Sequence, residues 1–222
     1  MSDQPMSSSR QRCGADKQQS EDVAITALRA EHTNAVVDLH MQAFPDFFLT
    51  FLGRSFLRQM YLCHRDDPAT IALVASRKTD DEILGAVIGP LQATSFYKRI
   101  LVRRWWRFAL AALGAVLRRP SVVPRLLRAV RYRGDAPGGE TDRALLASIA
   151  VSPAAQGMGV GKLLTTAFLA KVREAGLPGA YLTTDAENND AVNAFYRRQG
   201  WKVESRFTTP EKRKMLRYIY DF

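Results

Sequence analysis

The chain has 222 residues, 46% of them hydrophobic, and a formal net charge of +10. That is enough apolar material for one domain with a real core, and the positive excess favours anionic partners. Cys13 and Cys63 are the only cysteines, which excludes a disulfide framework and leads us to expect a reducing, cytoplasmic setting. The longest apolar run, Phe108 to Leu117, is far short of the roughly 18 residues that span a bilayer, and the first residues do not read as a basic-then-apolar leader.

Residues 1–22 are rich in Ser, Gln and charge and predict a disordered tail, leaving 23–222 as one domain. Val23 to Leu28 predicts a first strand. Thr33 is placed to cap a helix reaching about Ala43, with Val36, Val37, Leu39 and Met41 among its apolar positions. After a turn at Pro45 and Asp46, Phe48 to Cys63 predicts a second helix, weakened by Gly53. Thr70 to Ala75 and Ile83 to Ile88 predict an antiparallel hairpin.

The next segment, 92–134, is unusual. It holds eleven basic residues and no acidic one, so it accounts for more than the whole net charge. Trp105, Trp106, Phe108, Leu110 and Leu113 lie among its arginines, and two helices broken by Pro120 and Pro124 are expected. Ala144 to Val151 predicts a strand ended by Pro153. Met158 to Glu174 predicts a helix with Leu164, Phe168 and Val172 on one face, stopped by Gly176. A short strand over Tyr181 to Thr184 precedes a helix capped by Asn189 or Asp190 and ending at Gly200. Trp201, Val203 and Phe207 alternate with Lys202, Glu204 and Arg206, as in a strand with one wet face. Lys214 to Tyr220 closes the chain as a strand.

The most informative run is Ile149 to Lys162. A strand leads into a turn, then Gly157, Gly159 and Gly161, then a helix. The first N–H groups of a helix have no internal acceptor and carry the positive end of its dipole, which makes them an anion site. Two common phosphate loops do not fit. The Walker pattern would need glycine at Gln156 and a hydroxyl at Leu163, and the dinucleotide pattern begun at Gly157 would need glycine at Lys162.

A third pattern does fit. Gln156-x-x-Gly159-x-Gly161 resembles the Arg/Gln-x-x-Gly-x-Gly/Ala loop of the GNAT (Gcn5-related N-acetyltransferase) family. Asn189 to Trp201 is similar to that family's Asn-x-x-Ala-x-x-Phe/Leu-Tyr-x-x-x-Gly-Phe run, with Val192 in place of Ala and Trp201 in place of Phe. The resemblance implies an α/β fold with a mixed, mostly antiparallel twisted sheet flanked by helices, here carrying the basic helical insertion 92–134. It implies an N-acetyltransferase that moves acetyl from acetyl-CoA to a primary amine. In that reading Ile149 and Val151 pair with pantetheine, and the Val151 N–H faces the thioester carbonyl. Gln156, Gly157, Met158, Gly159, Val160 and Gly161 hold the pyrophosphate, with Lys162 adding attraction from a distance or pointing into solvent. Asn189 bonds the pantetheine arm or caps its helix. Tyr196 donates a proton to the departing thiolate or packs in the core beside Val192.

No general base can be read from the sequence. His40, Asp46, Asp185 and Glu187 fall on elements that flank the acceptor in similar proteins, and each reads equally as a surface or capping residue. No metal-ligand spacing is found among His32, His40 and His64. An amino sugar or other small amine is the expected acceptor, with a protein N-terminus or lysine as the alternative. A noncatalytic acyl-CoA-binding module is the reading from another class. The stretch 98–133 fits an apolar face packed on the domain with a solvated basic face. It also fits a surface for an anionic substrate or a peripheral membrane contact. No nucleic-acid motif is present, and the oligomeric state is left open.

Overall fold

The computed structural model describes residues 22–45, 47–118 and 141–222. The expected tail, apart from Asp22, lies outside these residues, as do Asp46, Pro120, Pro124 and the second half of the basic insertion. The elements in chain order are β1 (Val23–Ala27), α1 (Thr33–Ala43), α2 (Phe48–Phe51), α3 (Arg54–Asp66), β2 (Thr70–Arg77), β3 (Ile83–Pro90), α4 (Ala93–Arg103), α5 (Trp105–Arg118), β4 (Ala144–Leu145), β5 (Ser148–Val151), α6 (Val160–Glu174), β6 (Gly179–Asp185), α7 (Asp190–Arg198), β7 (Lys202–Thr208) and β8 (Lys214–Asp221).

The strands form two sheets. One runs β1-β2-β3-β5, antiparallel throughout; the other runs β4-β6-β8-β7, with β4 parallel to β6. The expected single strand over Ala144 to Val151 is therefore two short strands belonging to different sheets. The switch falls between neighbouring residues: the Leu146 N–H donates to the Tyr181 carbonyl at 2.9 Å, and the Ala147 N–H donates to the Ile88 carbonyl at 2.9 Å. Up to Leu146 the chain is zipped to β6, and from Ala147 it is zipped to β3. Gly89 permits the crossing, since a Cβ there would lie 1.9 Å from the Leu145 carbonyl oxygen. Beyond it β5 and β6 splay apart, and no pairing joins them among the described residues.

Two apolar layers hold this frame. Leu164, Phe168 and Val172 of α6 are fully buried against Leu73 and Val87 of the first sheet and Leu182 of the second, as their four-residue spacing predicts. On the opposite face, Val36 of α1 and Phe56 and Leu57 of α3 pack with Val74, Ala86 and Ile88. Successive β3 side chains thus serve alternate layers, the period-two rule of a strand buried on both faces.

Several local expectations need correction. The residue before α1 is His32, which makes no side-chain capping bond, and the Thr33 hydroxyl turns back to the Arg29 carbonyl. The helix expected over Phe48 to Cys63 is two helices, α2 and α3, parted at Gly53. In β7 the register shifts between Val203 and Ser205, which breaks the alternation and leaves Val203 exposed. The insertion begins with a helix, α4, that the charge pattern had hidden. No helix among the described residues is long and apolar enough to cross a membrane.

Candidate active site

The turn between β5 and α6 closes on itself as far as Met158 and then stops doing so. Ala155 N–H bonds the Ser152 carbonyl at 2.9 Å, Gln156 N–H bonds Pro153 at 3.4 Å, and Met158 N–H bonds Ala155 at 3.3 Å. The N–H groups of Gly157, Gly159, Val160, Gly161 and Lys162 find no backbone acceptor among the described residues; the first to do so is Leu163, on the Gly159 carbonyl at 3.0 Å. Gly157 and Gly159 have φ of +84° and +78°, the left-handed region that side chains disfavour. A Cβ at either would meet nothing within 4 Å. The loop is held in a shape only glycine takes readily, around open space ringed by main-chain donors, and that suits a pyrophosphate.

Gly161 plays a different part. A Cβ there would lie 3.2 Å from Phe195 Cζ and 3.7 Å from Val151 Cγ2. Its bareness lets α6 approach α7 and the end of β5. Val160 is buried in the core, while Gln156 and Lys162 are exposed, so from Val160 and Gly161 only the main chain reaches the loop's open side.

The β5 edge adjoins this loop. Ser152 N–H donates to the Leu84 carbonyl of β3 at 2.8 Å. Main-chain groups alternate sides along a ladder, so Ala150 also faces β3 and those of Ile149 and Val151 face the gap left by the splay. An extended ligand arm can add there as a strand would.

Helix α7 lines the other side. Tyr196 is 4% exposed, with its ring 5.2 Å from Phe195 and 5.8 Å from both Trp201 and Tyr218, centroid to centroid. Val192, one turn earlier, is exposed rather than in the core, so the expected core packing beside it is not seen. Burial pushes the Tyr196 phenol above its ordinary value, so it stays protonated. Asn189 begins α7 without capping it through its side chain; its amide donates to the Thr184 hydroxyl at 2.8 Å and the Asp185 carbonyl at 3.2 Å. Asn193, one turn on, was missed in the sequence. It is buried, donates to the Asp185 carbonyl at 3.0 Å and accepts from the Tyr218 hydroxyl at 3.2 Å. The only sequence signal was a polar residue on the face of Asn189 and Tyr196.

Residues 33–201, more than half of the chain, match the model of the Acetyltransferase (GNAT) family. The chain belongs to the GNAT acetyltransferase family. Among solved structures, this GNAT acetyltransferase is similar to a GCN5-related N-acetyltransferase from Kribbella flavida (TM-score 0.57, 14% identity, covering 91% of this chain and 99% of that one). It is similar to the ribosomal-protein-S18-alanine N-acetyltransferase from Escherichia coli (0.54, 13%, 90% and 93%). A third is a GNAT acetyltransferase from Brucella melitensis in complex with acetyl-CoA (0.50, 19%, 90% and 88%). At these identities the likeness is one of fold. Closer sequence identity is local. A mycothiol acetyltransferase from Nocardia farcinica (strain IFM 10152) is 51% identical over 47 residues, covering 21% of this chain and 16% of that protein. One from Arthrobacter sp. (strain FB24) is 47% identical over 53 residues, covering 24% and 16%. The chain spans less than a fifth of the length of these relatives.

Of the residues weighed as bases in this GNAT acetyltransferase, Asp46 lies outside the described residues and the other three are engaged elsewhere. Asp185 is paired with Arg213 at 2.6 Å and Glu187 with Lys214 at 2.6 Å. His40 is buried, with Nδ1 2.9 Å from the Tyr61 hydroxyl, and Tyr61 is also hydrogen-bonded to Ser148 of β5. Its Nε2 has no partner among the described residues. No cluster of three His, Cys, Asp or Glu side chains suited to a metal occurs among the described residues.

Burial pulls the His40 pKa from 6.5 down to about 4. Below pH 6.5 the unfolded chain takes up a proton that the folded one refuses, so stability is complete above 6.5 and falls as pH drops toward 4. The loss should approach about 3 kcal/mol at the acid end. Denaturant unfolding between about pH 7 and 4.5 should show this slope in the native chain and a shallower one in His40→Gln. Equal slopes in the two would place the histidine's titration elsewhere.

Proposed function

We propose that the chain transfers an acetyl group from acetyl-CoA to a primary amine, by direct attack of the amine nitrogen on the thioester carbonyl. The observation that carries this reading is the set of N–H groups of Gly157, Gly159, Val160, Gly161 and Lys162, without a backbone acceptor among the described residues, beside the open main-chain edge of Ile149 and Val151. The first would hold the pyrophosphate, with Gln156 and Met158 in the same loop, and the second the pantetheine. Asn189 would bond the same arm through its side-chain oxygen, since its amide is already committed.

Acetyl transfer forms a C–N bond and breaks a C–S bond. Charge develops on the carbonyl oxygen, where the Val151 N–H would stabilise it. The departing sulfur gains a proton while the amine loses one. Tyr196, kept protonated by its burial, would supply the donor at sulfur. Asp185 and Glu187 are held in ion pairs with Arg213 and Lys214. We favour a small amine such as an amino sugar as acceptor, because a cationic polyamine would be repelled by the basic segment.

The test is release of free thiol from acetyl-CoA over a panel of small amines, nucleotide-linked amino sugars and peptides. Acceptor-dependent release with an amino sugar is expected. Release with peptides alone would move the assignment to a protein N-acetyltransferase, and release with no amine would contradict it.

A further inference from the structure

Helix α5 is apolar on two opposite faces. Phe108, Ala111, Ala112 and Val116 pack toward α3, with the Phe108 ring 5.1 Å from Phe56. On the other side Trp106, Leu110, Leu113 and Leu117 follow one another at four, three and four residues, a single stripe along a helix. That stripe points to solvent: Leu110 is 64% exposed and Leu117 74%. Trp105 and Val102, next to its start, are 61% and 71% exposed. A helix that is apolar all round is ordinarily covered on all sides.

The charges around the stripe narrow what can cover it. Arg99 and Arg104 are tied down to Asp67 and Asp66 at 2.9 and 3.2 Å. Arg103 and Arg107 are exposed and find no carboxylate among the described residues; Arg107 lies 5.2 Å from the Trp106 ring centre. The whole stretch 92–134 contains no acid to answer them. A second copy of the chain docking on this face would set these arginines against themselves. Nucleic acid would satisfy the arginines but leave the leucine stripe against water. An anionic bilayer surface satisfies both: Trp and Leu enter the acyl boundary while Arg stays among the headgroups. At 14 residues α5 is about 21 Å long, too short to cross a bilayer core of about 30 Å.

We propose that the outer face of α5, with Arg103 and Arg107 at its edge, is a docking surface for anionic lipid, and that the helix lies flat in the membrane interface. This does not depend on which amine the enzyme acetylates. The test is sedimentation of the full chain with phosphatidylcholine vesicles that do or do not contain phosphatidylglycerol, at low and high salt. Binding to the phosphatidylglycerol vesicles alone, weakened by salt, is expected. Arg103→Gln with Arg107→Gln should weaken it about 30-fold, at roughly a factor of five to ten per arginine near such a surface. Leu110→Glu with Leu113→Glu should abolish it while leaving acetyl-CoA binding intact; should that variant fail to fold, the arginine pair still decides. Failure of the native chain to bind phosphatidylglycerol vesicles would overturn the proposal, whether DNA, a second copy or the chain's own residues then covered the stripe. Undiminished binding by the arginine variant would also overturn it.

Discussion

Gly159→Glu is expected to weaken acetyl-CoA binding by at least about 100-fold. Two effects combine. A side chain at φ +78° strains the loop by about 1–2 kcal/mol. More important, the space beyond that position is open and ringed by unpaired N–H groups, so a carboxylate placed there would take the donors proposed for the pyrophosphate and repel it. Losing one or two charge-assisted hydrogen bonds costs about 3 kcal/mol, hence the factor. Gly159→Asn separates the effects, because asparagine tolerates the left-handed region and adds no charge. It should retain most of the affinity. Calorimetric titration of both variants checks this, and unweakened binding by Gly159→Glu would move the pyrophosphate elsewhere.

Tyr196→Phe is expected to lower kcat by about 10²–10⁴, the usual worth of a positioned proton donor, with acetyl-CoA affinity and thermal stability little changed. The ring's contacts with Phe195, Trp201 and Tyr218 survive the substitution, because only the hydroxyl is removed. An unchanged kcat would make Tyr196 a packing residue. A fall in both kcat and melting temperature would point to lost structure.

How far the fold and site were legible in the sequence depended on whether the signal was local. Leu164, Phe168 and Val172 announced α6 because helical spacing alone put them together. The glycine loop was legible because three glycines at a helix start have few structural uses, yet only Gly157 and Gly159 line open space; Gly161 serves the contact with Phe195. The division of Ala144 to Val151 was not legible. Its residues are uniformly suited to a strand, and the change of partner at Leu146 and Ala147 depends on where Tyr181 and Ile88 stand. His40 read as a possible base because it falls on an element that flanks the acceptor in similar proteins; its burial beside Tyr61, 21 residues away, has no local signal. Val203 kept the alternation on paper and lost it to a bulge set by pairing with β8. The stripe on α5 was visible as apolar residues among arginines, but its opposition to a second, packed face needed the position of Phe56.

In the proposed function, main-chain donors at the start of α6, beside the free edge of β5, grip the coenzyme. Amide resonances followed in solution while acetyl-CoA is added test it most directly. The N–H signals of Gly157, Gly159, Gly161 and Val151 are expected to move together and saturate, while those of Gly53 and Gly176 stay in place. Saturating coenzyme that leaves the first four unmoved would contradict it.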